Sequence, residues 1–388
     1  MEIKIQSEEE KNLRQSLAGK EDAESKRMRR FLDMPDLSRT SGSPIHELAK
    51  RILDLPDFKD FDVVEAPEIV PTDISFDLFN FPENHPARSK SDTYFVDDKN
   101  ILRTHTTVMW YYYLQNLKIK NQISKLNPVG SLSYGKVYRK DEIDRNHMNV
   151  FHQMDGWYLT PKSKKIIGIE DLQDVLEKIA EAIFGKDIKY RFNEDQFPYT
   201  DPSIEMEVEV NGPASAEGFG EARWVEVLGS GVVRGVVLEK LGVDPNIYNG
   251  WAFGFGLERL AIISMGLPDI RLLWSEDERV KKQLKLGDKF KEVSKYPPIT
   301  RDISFVVSKS FVPNNYFDLI RDLGGDLVEE VKLIDKYEDE KKFGSDRTSY
   351  TYRIIYRSMD RTLTGEEVDK IQEEIYRQTA EQFNAELR

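Results

Sequence analysis

The residues best suited to chemistry in this chain are arginines, carboxylates and a hydroxyl and imidazole cluster, each set beside glycines or aromatics. Residues 248–260 read YNGWAFGFGLERL, a Gly-rich turn feeding a helix. Gly254 and Gly256 let the backbone approach a ligand, and Arg259 at the helix start is placed for an anion. A lone Gly-x-Gly is equally compatible with a helix packed on a sheet and a solvated Arg259, so its company decides. Polar residues 104–107, including His105 and Thr107, run into the aromatic stretch 110–113, a grouping able to fix a small polar ligand. Two strands, at 135–140 and from Phe151, flank the polar loop 141–149 and set Arg139 and Gln153 on one face. Strand 224–228 puts Glu226 between Trp224 and Leu228, where a carboxylate needs a cation or a ligand ammonium as partner.

Stable elements must hold these groups. Residues 171–184 form an amphipathic helix with Leu172, Val175, Leu176, Ile179 and Ile183 on one stripe and Gly185 ending it. Ser43 and Pro44 start another, with Ile45, Leu48 and Ile52 as its apolar face. Residues 204–210 alternate Ile, Met, Val, Val against three glutamates, a strand with one buried face. Without regular helical crossovers, the expected class is α+β, an antiparallel sheet flanked by helices and not a Rossmann fold. A P-loop is absent from the sequence. After Pro297 and Pro298 the order is strand 302–307, helix 315–323, strands 328–337 and 349–356, helix 364–383 and a last strand at 385–388, which suits a ferredoxin-like sandwich. The expected organisation is a charged extension over 1–40, a main domain over 41–275, a linker over 276–294 and the sandwich over 295–388. Lys26, Arg27, Arg29 and Arg30 read as part of a solvated helix or frayed arm, with RNA contact as the sharper reading.

The 388 residues contain no Cys, which excludes disulfides, thiol chemistry and Cys-based zinc sites. A net charge of −13 argues against a general nucleic-acid coat and leaves room for a local basic surface. No apolar run approaches a membrane span, so no membrane partner is expected. Glu2, Glu8, Glu9 and Glu10 do not fit a secretory or mitochondrial leader, so a cytoplasmic protein is expected, with a mature mitochondrial matrix protein as the alternative.

Taken together, several stretches resemble the phenylalanyl-tRNA synthetases in their single-chain, mitochondrial form, over roughly residues 35–388. They are HPAR with DTYF, LRTHTT, the motif 2 pattern VYRKDEID ending in FHQMDG, FPYTDPS (197–203), WVEVLGSG, the motif 3 pattern GWAFGFGLERL, and YPPITRDISF with YRSMDRTLTGEEV in the tail. The resemblance implies a class II ligase and an anticodon-binding tail, with ATP, magnesium (Mg2+), L-phenylalanine and tRNA(Phe) as ligands. Phenylalanine's carboxylate attacks the α-phosphorus of ATP, and a ribose hydroxyl of the tRNA then takes the acyl group, so positioning and charge stabilisation suffice. Arg139 would contact the α-phosphate and Arg259 the γ-phosphate. Glu226 and Asp201 would be the magnesium ligands. His105, Thr107, Gln153 and Asp155 would fix the amino acid's ammonium and carboxylate, and Phe197 with Tyr199 its ring. Asn146, His147 and Met148 would cover the adenylate, and Val108, Met109, Trp110, Met154 and Phe253 complete the implied substrate pocket.

The sequence departs from the family's pattern at Asp155 and Asp201, each for Glu, at Thr107 for Ser, at Trp110 for Gln and at Tyr199 for Phe. Two other readings stay open: a catalytically silent relative that senses amino acid or binds RNA, and a ligase for another amino acid. The arm, the catalytic domain and the tail use the whole length, so no editing domain or second editing subunit is expected. A monomer is expected. Lys341, Lys342, Arg347, Arg353 and Arg357 are the tail's expected tRNA contacts, and a cut at Ser294 is expected to spare amino-acid activation while reducing charging.

Overall fold

Two-residue alternation organises the larger part of the chain. The computed structural model describes residues 1–119, 128–210, 222–291, 296–358 and 361–388, so Ser294, the last residues of the expected linker, and Met359 with Asp360 of the tail motif lie outside it. The first unit comprises Met1–Tyr138, Val150–Pro268 and Leu284–Phe290. Its strands are β1 (Glu2–Lys4), β2 (Asp62–Glu65), β3 (Ile69–Pro71), β4 (Asn100–Leu102), β5 (Val129–Tyr138), β6 (Val150–Pro161), β7 (Tyr190–Asp195), β8 (Thr200–Val210), β9 (Arg223–Val233) and β10 (Tyr248–Gly256). Eight form one sheet in the order β1-β2-β5-β6-β10-β9-β8-β7, and β3 pairs separately with β4. All pairings from β5 to β7 are antiparallel, as expected. At the other edge β1–β2 and β2–β5 are parallel, so the sheet is mixed.

Directly opposed residues share a sheet face. His152, Met154, Gly156 and Tyr158 of β6 therefore share a face with Trp251, Phe253 and Phe255 of β10. Helices α3 (Pro44–Leu53), α5 (Ile169–Phe184) and α7 (Leu257–Met265) pack on one another and on strands β6, β8 and β9. Phe58 and Phe61 reach Phe253 and Tyr158 on this same face, at 5.9 and 6.1 Å between ring centroids. Gly156 is required here, because a Cβ would come within 2.4 Å of the Phe253 ring. The opposite face carries Gln153, Asp155 and Trp157 of β6, Ala252 and Gly254 of β10, Glu205 and Glu207 of β8, and Glu226 of β9. Helix α4 (Met109–Ile119) and the short turn before it cover part of that face, and α6 (Gly235–Lys240) adds Val237 and Leu238 to the same core as Trp110 and Trp157.

The N-terminal residues do not form a solvated or frayed arm. Helices α1 (Glu8–Ala18) and α2 (Ala23–Asp33) are capped by Ser7 and Asp22. They bury Leu17, Met28, Phe31 and Leu32 against Ile69, Tyr94, Leu102, Tyr138 and Val150. Buried Lys136 donates from Nζ to the carbonyls of Leu32 and Met34, both at 2.8 Å, a cation on the C-terminal end of α2. Of the basic cluster, Arg29 caps the Leu17 carbonyl and Lys26 pairs with Glu21 at 2.9 Å.

The second unit comprises Arg139–Asn149, Asp269–Gln283 and Lys291–Arg388. After a short turn of helix, α8 (Glu278–Lys281), come β11 (Ile299–Ser308), α9 (Pro313–Gly324), β12 (Val328–Tyr337), the turn α10 (Glu340–Phe343), β13 (Arg347–Tyr356), α11 (Gly365–Phe383) and β14 (Glu386–Leu387). The sheet order β12-β13-β11-β14 is that of the expected ferredoxin-like sandwich. Its core of Ile303, Phe305, Tyr316, Ile320, Tyr352 and Ile354 also takes in Ile143. The expected basic surface is largely neutralised: Arg347 pairs with Glu386 (2.9 Å), Arg353 with Asp302 (2.8 Å), and Arg357 with Glu329.

Because Phe31 is 5% exposed within that N-terminal cluster, Phe31→Ala should lower the unfolding free energy by about 3 kcal/mol. Denaturant titration checks this, and a solvated arm would show no change.

Candidate functional site

The uncovered face of β6 and β10 holds a desolvated polar niche. Asp155, 6% exposed, accepts hydrogen bonds from Thr107 Oγ1 (2.7 Å) and Thr106 Oγ1, which the turn between β4 and α4 brings over β6. Opposite it in the sheet is Ser133 of β5, and two residues away is Gln153. Ser133 Oγ and Gln153 Oε1 are both buried without a hydrogen-bond partner among the described residues. Leaving a buried polar atom without a partner costs roughly 1–3 kcal/mol, so both oxygens are places where a donor is stabilising. Gly254 must lack a side chain, since a Cβ would lie 2.7 Å from Asp155 Oδ1. At Gly256 the added Cβ would meet nothing within 4 Å, so that end of the face is open.

An aromatic wall adjoins the niche. Trp110 stacks on Trp157 with centroids 5.0 Å apart. Phe79 meets Trp110 edge-on at 5.3 Å, and Tyr199 touches Phe79, Phe81 and Trp110 at 6.1, 6.2 and 6.3 Å. Phe197 stacks on Tyr199 at 5.9 Å and lies over Gly229, which shares the face with Gly254. His105 lies flat on Phe81 at 5.9 Å, its Nε2 held at 3.1 Å from the Ser75 carbonyl. Trp110 Nε1 is buried in this wall without a partner among the described residues.

Beneath the niche, on the covered face, His152 is fully buried between two carboxylates. Its Nδ1 lies 2.6 Å from Glu258 Oε1 and its backbone N–H donates to Glu258 Oε2 at 2.8 Å. Its Nε2 lies 3.3 Å from Asp36 Oδ1. Burial works against a charged imidazole, but Glu258 and Asp36 outweigh it and push His152 up to about 9. Burial also opposes ionisation of Asp36, yet His152, Ser38 and Arg39 hold it down at about 2. The Leu37 N–H donates to the same Nε2 at 2.9 Å, a bond that only the unprotonated nitrogen accepts, so protonation there exchanges Leu37 for Asp36. His152 and Glu258 thereby fix the neighbours Gln153 and Arg259.

Arg259 in the first turn of α7 donates to the Glu226 carbonyl at 3.3 Å and lies 3.6 Å from its carboxylate; both side chains are half-exposed. Loss of water raises Glu226; Arg259 opposes that rise, and Glu205, Asp195 and Glu207 reinforce it. Asp201 stands apart from this set, exposed and paired with Arg234 at 3.8 Å. Among the described residues no three ligating side chains gather as a metal site. Arg139, Asn146, His147 and Met148 belong to the second unit. Asp144 shapes their loop, accepting from the backbone N–H groups of Asn146 and His147 at 2.6 and 2.8 Å and pairing with His147 Nδ1 at 2.8 Å.

Four expected pocket residues lie elsewhere. Met154 and Phe253 face the covered side of the sheet, and Val108 and Met109 are fully buried in the core around α4. Ala252, Gly254 and Phe151 lie on the same face as Asp155 instead, and the alternation of FHQMDG and WAFGFG carried that signal. Thr106, Ser133, Phe79 and Phe81 were also missed, and only the fold brings them to the site.

Residues 31–284 match the family model described as "tRNA synthetases class II core domain (F)", and residues 294–388 match the "Ferredoxin-fold anticodon binding domain". The chain is 39% identical to the chloroplastic/mitochondrial phenylalanine–tRNA ligase of Arabidopsis thaliana, covering 91% of this chain and 80% of the relative. It is 37% identical to the mitochondrial phenylalanine–tRNA ligase of Mus musculus (80% and 72% covered) and 32% identical to that of Saccharomyces cerevisiae (82% and 81%).

A raised histidine stabilises the fold fully below its ordinary value of 6.5, and that contribution is lost as pH rises through about 9. Stability should therefore fall by about 3 kcal/mol between neutral pH and pH 10, and His152→Gln should abolish this pH-dependent part. Unfolding free energies of both proteins across that range decide it.

Proposed function

The chain belongs to the class II aminoacyl-tRNA synthetases, among the phenylalanine–tRNA ligases, and on that footing we propose that it joins L-phenylalanine to tRNA(Phe) through a phenylalanyl-adenylate formed from ATP. The observation that carries the reading is the buried Asp155 with its two threonine hydroxyls, beside the unpartnered Gln153 Oε1 and Ser133 Oγ, at the foot of an aromatic wall. A primary ammonium supplies the donors those acceptors lack, and the wall accepts a phenyl ring.

In this reading Asp155, Gln153 and Ser133 hold the ammonium, which leaves the amino acid's carboxylate free to attack the α-phosphorus; the bond to the bridging oxygen breaks and pyrophosphate leaves. Arg139 offers its planar fork to the α-phosphate as charge builds there, and Arg259 with the N-terminus of α7 receives the terminal phosphate. Glu226 would hold a magnesium ion, which would supply positive charge to the phosphates as pyrophosphate leaves. Its raised affinity for protons, driven by loss of water and by three neighbouring carboxylates, marks a place where a cation relieves repulsion. The exposed Asp201, already paired with Arg234, has the weaker claim. Phe151 lies half-buried on the same face. A silent relative is not favoured, because Arg139, Glu226 and Arg259 are all present.

We read the working form as a monomer whose second unit contributes to tRNA binding. The names of the relatives support a mitochondrial setting, and none of those three supports the cytoplasm expected from the acidic N-terminus. The test is ATP–pyrophosphate exchange with the purified protein: exchange dependent on L-phenylalanine supports the reading, and its absence removes it.

A second expectation concerns selectivity. An apolar slot rejects a guest that only adds a hydroxyl by about a hundredfold, and both Tyr199 and the unpartnered Trp110 Nε1 offer that hydroxyl a partner. L-tyrosine should therefore be activated measurably, and Tyr199→Phe should change the ratio of phenylalanine to tyrosine exchange. An unchanged ratio removes Tyr199 from discrimination.

A further inference from the structure

The loop joining β5 to β6 belongs to the second unit. Ile143 is buried in that unit's core, and its carbonyl accepts from Val331 N–H at 3.0 Å. Arg321 of α9 donates to the carbonyls of Asp141 (2.6 Å) and Glu142. Lys140 Nζ reaches Asn315 Oδ1 at 3.1 Å, and Asn149 Nδ2 reaches Asp318 Oδ1 at 3.3 Å. These anchors occupy 140–143 and 149, between and beyond Arg139 and the run Asn146, His147 and Met148. An ionic anchor of the loop is Glu329 at the start of β12. Only 2% exposed, it accepts from Arg145 Nε at 2.9 Å and Nη2, and on its other side from Arg357 Nε. The Arg145 backbone is fixed too, its carbonyl accepting from Ile270 N–H at 2.8 Å.

We propose that Glu329 is a positioning residue for adenylate formation: from within the ferredoxin-like unit it holds Arg145, and through it the loop bearing Arg139, Asn146 and His147. The proposal rests on the ligase reading for its catalytic half. Arg145 is the loop's half-exposed lever, and Glu329 is the buried fixed point, itself pinned by Arg357. A loop with no strand or helix of its own holds one conformation only where such contacts outweigh the freedom it gives up. The expectation that a chain ending before Ser294 keeps its amino-acid activation is thereby replaced, since such a chain lacks Glu329, Arg321 and Val331.

In full-length protein, Glu329→Gln should raise KM for ATP in pyrophosphate exchange by about tenfold and leave KM for phenylalanine within about twofold. Arg145→Ala should do the same, the double variant should be no worse than the worse single one, and Glu329→Asp should recover part of the loss. Trypsin should cut after Arg145 in Glu329→Gln under conditions where the wild-type loop resists. Multiplying effects in the double variant, or an unchanged KM for ATP in the single variants, overturns the proposal even when the loop becomes cleavable. Should Glu329→Gln fail to fold, Arg145→Ala carries the test, because its half-exposed side chain can be removed without opening the core. If wild-type protein shows no exchange, the ligase reading falls, and the trypsin result still decides whether Glu329 holds the loop.

Discussion

The imidazole of His152 joins three parts of the chain that are distant in sequence. Asp36 ends the N-terminal helical segment, His152 belongs to the central strand, and Glu258 opens the helix that follows the glycine turn. Breaking a buried pair of this kind typically costs about 3–5 kcal/mol, because the partner is left charged and dry. Its geometry is also what directs the chain: with His152 turned to the covered face, Gln153 and Asp155 must face the other way. The helix that brings Glu258 to His152 presents Arg259 one residue later.

The sheet divides its labour between its faces. The covered side is ordinary packing, with rings filling the room that Gly156 leaves. The other side carries Asp155, the glycines of β10 and the glutamates of β8 and β9. Those glutamates look like the solvent side of a half-buried strand. Loss of water first, and then Glu205, Asp195 and Glu207, raise Glu226, so these carboxylates lie close together on that face.

Much of this was legible in the sequence. The glycines and Arg259, the amphipathic helix over 171–184 and the strand order of the tail all follow from local rules, and the structure has them where the pattern put them. Residues that share a strand but not a face were harder. Phe253 and Met154 sit one position from Gly254 and Asp155, and that single step sends them to the other side. The N-terminal segment was misread because its few apolar residues, Leu17, Met28 and Phe31, are spread among charges and find their partners far along the chain, in Tyr94 and in β3, β4, β5 and β6. The arginines of β13 and Arg357 just after it could not be judged from composition, since the carboxylates that pair with them come from β11, β12 and β14.

The placement of the β5–β6 loop has a consequence for how the chain is made. Arg145 and Glu329 are 184 residues apart. At about 5–20 residues per second on a ribosome, the loop emerges roughly ten to forty seconds before the strand that fixes it. The two strands that flank it can pair at once, since a hairpin forms in microseconds. During synthesis the molecule therefore passes through a stage in which its central sheet can exist while the segment carrying Arg139 has no settled shape. That segment gains its anchors on Arg321, Glu329 and Val331 only when the last quarter of the chain has been made, so the order of translation leaves the loop bearing Arg139 to be fixed late.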